Sequence, residues 1–134
     1  MLKTPTQVMQ TSQFDSPIES ILYEAFKELG LVPEIQHSIG IFRVDMAFPE
    51  IKIAIECDGH KFHTGEFNWQ KDRYRQKRII ELGWKFERFQ GWLIRKYPIA
   101  CAGKIGLKYL KDKMTPKATK QASGALEIML IRTS

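Results

Sequence analysis

Carboxylate side chains interrupt two apolar segments near the middle of the chain, within the stretch RVDMAFPEIKIAIECDGHKFH at residues 43–63. Asp45 lies inside the first apolar segment, and Glu56 and Asp58 follow the second. A carboxylate loses favourable hydration when it is buried, and the loss is large unless a cation offsets it. Acids placed at the ends of buried strands therefore indicate a site that holds a cation.

The strand pattern fixes part of the geometry of this site. Side chains alternate between the two faces of a strand, so Glu56 and Asp58 point the same way and Cys57 points the opposite way. With its neighbours, Cys57 also forms the pattern C-x-x-H-x-x-H with His60 and His63. That spacing fits no common zinc motif and lacks a fourth ligand, so zinc is disfavoured.

The position of Asp45 depends on the turn between the two segments. A hairpin closed at Pro49-Glu50 brings Asp45 near Lys52 to Ala54, and not opposite Glu56. Only a bulge, a splayed pair of strands or a longer register offset would bring Asp45 to Glu56. The local pattern by itself does not predict which of these occurs.

The composition restricts the class of protein. The 134 residues suit one domain with a core of its own, and the net charge of +6 with a pI near 9.4 favours a polyanionic partner. Nucleic acid is the leading candidate, ahead of an anionic membrane surface. No segment reaches the roughly 18 apolar residues of a membrane span. The N-terminus resembles no secretory signal, and Cys57 and Cys101 are no disulfide framework, so a cytoplasmic protein is expected.

The elements that would position the acids can be predicted from capping and periodicity. Ser16, Pro17 and Glu19 form a capping-box pattern that predicts a helix ending at Gly30. The other expected elements are strands at 32–38, 43–48, 51–57 and 84–89, and helices at 68–82, 92–96 and 98–111. This order predicts an α/β fold in which helices flank a central mixed sheet of about four strands.

The two ends of the chain are expected to be less regular. Residues 1–15 have no periodicity and predict a flexible arm, which leaves one domain at 16–111. Residues 112–123 resemble a flexible linker, and the apolar sequence at 125–131 predicts a last strand or helix. The structure of the whole segment 112–134 is left open by the sequence.

The order of the acids and elements resembles the PD-(D/E)XK nuclease superfamily, and within it the small domains similar to very-short-patch-repair endonucleases. The likeness covers about residues 16–111, so it implies a restriction-endonuclease-like core. The residues that carry it are Glu19, Arg43-Val44-Asp45, Glu56-x-Asp58-Gly59, His63, Asp72-Arg73, Leu82-Gly83-Trp84 and Arg88-Phe89.

The resemblance implies a metal-dependent endonuclease that hydrolyses phosphodiester bonds in DNA. Asp45, Glu56 and the main-chain carbonyl of Cys57 would hold Mg²⁺, for which Mn²⁺ is expected to substitute. Hard oxygen ligands suit Mg²⁺, so these residue types agree with the inference. Glu19 and Asp58 join the catalytic set, although a helix cap and a turn before Gly59 would also explain them.

The sequence departs from the superfamily motif at one position. Asp58 stands where the motif has Lys, which removes a cation from the site and adds a negative charge. His63 could supply the missing acid–base function because histidine titrates near neutral pH, and Lys61 could fill the same place. The choice between them stays open.

Basic residues after the acids predict a phosphate-binding surface, although a solvated helix face would also explain them. The candidate DNA-binding residues are Lys61, Arg73, Lys77 and Arg88. A nucleic-acid-binding module without catalysis, on the same fold, is the rival interpretation, and Asp58 favours it. A cut of both strands would need two active sites or two successive nicks, so a homodimer is one candidate assembly. The compact size favours work within a larger repair, restriction or transposition assembly, because little surface is left for a sequence-reading element.

Overall fold

The elements of the predicted α/β fold are present in the computed structural model, which describes residues 14–59 and 68–134. Within those residues, helices alternate with the strands of one sheet, and short 3₁₀ turns lie at Pro49–Ile51 and Lys111–Lys113. The bounds are α1 (Pro17–Glu28), β1 (Glu34–Ile39), β2 (Phe42–Phe48), β3 (Ile53–Asp58), α2 (Trp69–Glu81), β4 (Lys85–Gln90), α3 (Gly91–Lys96), α4 (Pro98–Tyr109) and α5 (Pro116–Thr133).

The sheet is mixed, as predicted, with the strand order β1-β2-β3-β4 in the described residues. β1, β2 and β3 are antiparallel neighbours, and β4 returns through α2 to pair parallel with β3. The parallel pair puts Glu56 beside Arg88 and Asp58 beside Gln90. The carboxyl end of β3, where the acids lie, is therefore next to the carboxyl end of β4.

Helices cover both faces of the sheet. On one face α1, α3, α4 and α5 enclose the larger core, in which Leu22, Phe26, Ile55 and Ile105 are fully buried. On the other face α2 contributes Ile79 to a smaller cluster. β3 is almost continuously apolar because its side chains are buried on both faces of the sheet. No described helix is long and apolar enough to cross a bilayer.

The turn between β2 and β3 differs from the two-residue turn expected from the sequence. Pro49 begins a 3₁₀ turn, closed by a hydrogen bond from the Lys52 N–H to the Pro49 carbonyl, and Lys52 takes a left-handed conformation with φ of 54°. Four residues thus connect the strands, and Phe48 pairs with Ile53. The expected position of Asp45 near Lys52 to Ala54 is wrong. The longer connection gives the longer register offset that the sequence left open, and it moves Asp45 toward Glu56.

The segment expected to be a linker is largely helical. Thr115 caps α5 by accepting the Ala118 N–H at 3.0 Å, and Pro116 occupies the first turn. Small residues that resemble a linker instead allow close packing: a Cβ added at Gly103 of α4 would lie 2.9 Å from the Cβ of Ala122. The linker prediction for 112–123 is therefore wrong, and the final apolar segment belongs to the same helix.

The predicted N-terminal arm falls mostly outside the described residues. Phe14 and Asp15 are described, and both contact α1: the Phe14 ring lies 5.3 Å from the Tyr23 ring, and the Asp15 N–H donates to Glu19. The division of the chain into an arm, a domain at 16–111 and a C-terminal segment stays a prediction. Residues 60–67 are also outside the described part.

Candidate active site

Three carboxylates converge between the start of α1 and strand β2. One oxygen each from Asp15, Glu19 and Asp45 lie within 4.8 Å of one another. Asp15 is exposed, Asp45 is half-buried and Glu19 is only 3% exposed. We call these residues the acidic group. Two of its three members, Glu19 and Asp45, are candidates from the sequence, and the structure brings them together.

The conformation of Glu19 follows from the capping box that starts α1. Its Oε2 accepts the N–H groups of Asp15 at 2.6 Å and Ser16 at 3.0 Å, while its Oε1 accepts the side-chain amide of Gln36 at 3.3 Å. The pKa of Glu19 is raised to about 8, mainly by burial and in addition by the hydrogen bond with and the charge of the Asp45 carboxyl. Glu19 therefore caps the helix and also presents an oxygen to the acidic group.

Asp45 is held at the end of the ladder between β2 and β3. The last backbone pair on this side is Met46 with Ile55, and beyond it the Asp45 carboxylate accepts the Cys57 N–H at 2.8 Å. The Cys57 side chain points into the core, as the alternation predicted, and burial raises the pKa of its thiol. Participation of the Cys57 carbonyl in metal binding stays a prediction.

Glu56 lies beside Asp45 but is not part of the acidic group. It is 3% exposed, one oxygen faces the Asp45 N–H at 3.4 Å, and the other contacts the guanidinium of Arg75. A buried carboxylate requires such a partner, because an unpaired charge in the interior is costly. The expected role of Glu56 as a metal ligand stays a prediction.

Arg75, like Asp15, is a functional candidate that the sequence pattern did not single out. It reaches from α2 to Glu56, and burial together with the charge of Arg88 lowers its pKa. Its Nη1 is buried without a hydrogen-bond partner among the described residues. A signal was present: Arg75 precedes the buried Ile79 by four residues, so it lies on the face of α2 that packs on the sheet.

Arg88 connects β4 to two further acids. Its guanidinium donates to Asp58 at 3.2 Å, to Asp72 at 2.6 Å and to the Gln76 side chain at 2.8 Å. Burial by itself would lower the pKa of Arg88, but the hydrogen bond to Asp72 and the charge of Asp58 raise it. Arg88 therefore orders the acids at the end of the sheet, and its expected contact with DNA stays a prediction.

These contacts link more negative than positive groups. Six carboxyl groups but only two guanidinium groups are connected among the described residues: Asp15, Glu19, Asp45, Glu56, Asp58 and Asp72, against Arg75 and Arg88. A divalent cation at the acidic group would offset the excess and would replace the proton that Glu19 otherwise retains. Carboxylate oxygens are hard ligands, so the acidic group could hold a divalent cation.

Two of the remaining predicted residues lie on α2, and two fall outside the described part of the chain. Arg73 and Lys77 are exposed on α2, where they line an open cleft together with Asp72 and Arg88. Lys61 and His63, between which the sequence left the acid–base function open, fall within residues 60–67, outside the described part of the chain.

A mixed four-stranded sheet flanked by helices, with acids at the ends of its central strands, defines a restriction-endonuclease-like fold of the PD-(D/E)XK type. The sequence pattern of the restriction-endonuclease-like family REase_MTES_1575 matches residues 19–98, and the chain belongs to that family. The match includes Glu19, Asp45, Glu56, Asp58, Asp72, Arg75 and Arg88.

Known proteins with similar sequences or structures agree with this assignment. The chain is 32% identical over 76 residues to two proteins of Mycobacterium tuberculosis, the uncharacterized proteins MT2308 and Rv2248. The match covers 52% of this chain but only 28% of theirs. The catalytic domain of the homing endonuclease I-Bth0305I superposes with a TM-score of 0.60 at 17% identity, covering 75% of this chain and all of that one. The fold and family are thus those of nucleases, while the very-short-patch-repair likeness stays a prediction.

Proposed function

We propose that this protein is an endonuclease that hydrolyses DNA with the help of Mg²⁺ or Mn²⁺. The observation that carries the proposal is the convergence of Asp15, Glu19 and Asp45 within 4.8 Å, beside Glu56. Carboxylates at this spacing repel one another unless a cation or a proton lies between them, and two of these three, Glu19 and Asp45, are at least half-buried. The nuclease family and fold make a catalytic metal the simplest reason for such an arrangement.

Each residue has a defined part in this proposal. Asp45 and Glu19 supply oxygen ligands, and the Cys57 N–H holds the Asp45 carboxylate in place. Glu56 completes the ligand set when Arg75 turns from it toward a phosphate. When bound, the metal lowers the pKa of a coordinated water and offsets charge that develops on the phosphate.

DNA is the proposed substrate because exposed positive charge lies along α2, the helix from which Arg75 contacts Glu56. Four exposed basic residues lie on the solvent side of α2: Lys71, Arg73, Lys77 and Arg78. The buried Nη1 of Arg75 is a donor that a phosphate oxygen would satisfy. The larger size of the Mycobacterium tuberculosis relatives supports a role within a larger repair, restriction or transposition system, with further segments that choose the target.

Nicking of supercoiled plasmid tests the proposal. We expect cleavage with Mg²⁺ or Mn²⁺, none with EDTA, and a fall of about 100-fold or more in Asp45→Asn and in Glu56→Gln, because each removes one metal-binding charge. Asp112→Asn, which changes an exposed acid in the turn before α5, is the matched control and should cut normally. Full cleavage by both site variants would exclude this site.

The ion pair between Glu56 and Arg75 favours a second candidate function. If Arg75 never leaves Glu56, the site has fewer free carboxylates, and the domain would bind DNA without cutting it. That function predicts salt-sensitive DNA binding that is unchanged in Asp45→Asn, with no metal-dependent nicking at any protein concentration. Gel-shift and nicking assays on the same preparations separate the two candidates.

A further inference from the structure

Gln36 has an unusual backbone conformation directly opposite Asp45. Its φ is +49°, in the left-handed region that side-chain-bearing residues rarely adopt. β1 and β2 are paired on both sides of it, through Ile35 with Met46 and His37 with Val44, so Gln36 and Asp45 form the interruption between two regular pairs. Strained residues that persist in a fold are frequent at functional sites.

The interruption reverses the face on which each strand packs. Ile35 and Met46 belong to the larger core, whereas Val44 belongs to the cluster on the other face and the His37 ring lies 5.5 Å from the Trp84 ring of that same cluster. Residues two positions apart in a regular strand share a face. The change of face occurs at Asp45, whose carboxylate reaches the acidic group near α1.

The side chain of Gln36 acts at the same place. Its Nε2 donates to Glu19 Oε1 at 3.3 Å, on the opposite side of the carboxyl group from the two capping N–H groups. Both oxygens of Glu19 are thereby oriented by neighbouring donors. A glycine would adopt this backbone conformation at a lower cost, but it could not make this contact.

We propose that Gln36 is a positioning residue for the metal site: its left-handed backbone turns Asp45 toward α1, and its amide aims Glu19 at the same cation. The inference rests on the proposed function, because it assumes that Glu19 and Asp45 bind a divalent metal. Groups that orient metal ligands typically contribute about tenfold or more to metal affinity.

Glycine substitution at two strained positions tests the proposal. Lys52 is the matched control, because it is the other described non-glycine residue with positive φ and it lies in the β2–β3 turn. Gln36→Gly and Lys52→Gly should both remain folded, since glycine tolerates positive φ. We expect Mg²⁺ to bind about tenfold or more weakly to Gln36→Gly alone, as measured by calorimetry on the full chain, with plasmid nicking reduced at low Mg²⁺ and restored at high Mg²⁺.

A second variant keeps the proposal testable if Gln36→Gly does not fold. Gln36→Asn keeps an amide and tolerates the left-handed conformation, but it is one methylene too short to reach Glu19, so it should also weaken Mg²⁺ binding. Mg²⁺ dissociation constants equal to that of the wild type in both variants would overturn the positioning role, even if unfolding in EDTA shifts. A wild-type protein that binds no Mg²⁺ would instead overturn the proposed function, and the inference with it.

Discussion

The buried carboxyl group of Glu19 makes the stability of the metal-free protein depend on pH. Its pKa is about 8 in the folded protein, because of burial and of the adjacent Asp45, against an ordinary value of 4.5. The folded state therefore retains a proton that the unfolded state releases. This contribution to stability is complete below pH 4.5 and is lost as the pH rises toward 8.

The size of the effect follows from the number of protons. One proton of difference changes the free energy of unfolding by about 1.4 kcal/mol per pH unit, so up to about 3 kcal/mol between pH 5.5 and 7.5. Glu19→Gln cannot ionise and still accepts the capping N–H groups, so its stability should lack this slope. Titrating groups that do not contact Glu19 are common to both proteins and cancel in the difference.

Urea unfolding in EDTA at pH 5.5, 6.5 and 7.5 measures the two slopes. Glu24→Gln makes the same chemical change at an exposed position of α1 and should behave like the wild type. Saturating Mg²⁺ should reverse the trend in the wild type, because a bound cation displaces the proton of Glu19 and binds more tightly as the pH rises. Parallel curves for the wild type and Glu19→Gln would refute this account of the site.

Two further predictions concern residues that hold the site and the core. Arg88→Met should lower the free energy of unfolding in urea by about 3 kcal/mol, because it removes the guanidinium that pairs with the poorly exposed carboxylates of Asp58 and Asp72. Arg78→Met, which breaks an exposed pair, should cost less than about 1 kcal/mol. Gly103→Val should lower the thermal midpoint, because a Cβ at this position would lie 2.9 Å from Ala122 and would displace α5. Gly124→Ala should raise the midpoint, because the added Cβ meets nothing within 4 Å and alanine favours a helix more than glycine does. An unchanged midpoint in Gly103→Val would show that α5 does not depend on this contact.

Local signals in the sequence were sufficient for most of the fold. The capping box at Ser16 and the apolar period after it define α1, which the structure confirms. Alternation along 84–89 and the apolar run before Glu56 likewise predicted β4 and β3, within one or two residues of their bounds. These features depend on neighbours in the sequence, so they can be read without knowledge of tertiary contacts.

The site was only partly predictable because its geometry depends on distant contacts. The change of face at Asp45 requires the left-handed Gln36 on another strand, and glutamine carries no sequence signal for that conformation. Arg75 is one of several basic residues of α2, and the sequence does not show that it contacts Glu56 across the fold. Composition also misled at 112–123, where alanines that resemble a linker allow α5 to pack closely on α4.

The connection from Phe48 to Ile53 determines which acids can meet, although it carries none of them. A change of register between the two strands changes which side chains lie opposite one another. Replacement of Pro49 by Asn and of Glu50 by Gly, with no residue removed, would favour a two-residue turn that pairs Phe48 with Ile51 instead of Ile53. It would therefore separate the Asp45 carboxylate from the Cys57 amide. An engineer who optimised this turn for tight strand reversal alone would obtain a well-paired hairpin and lose the convergence of Asp45 with Asp15 and Glu19, so the register set by this turn constrains the acidic group.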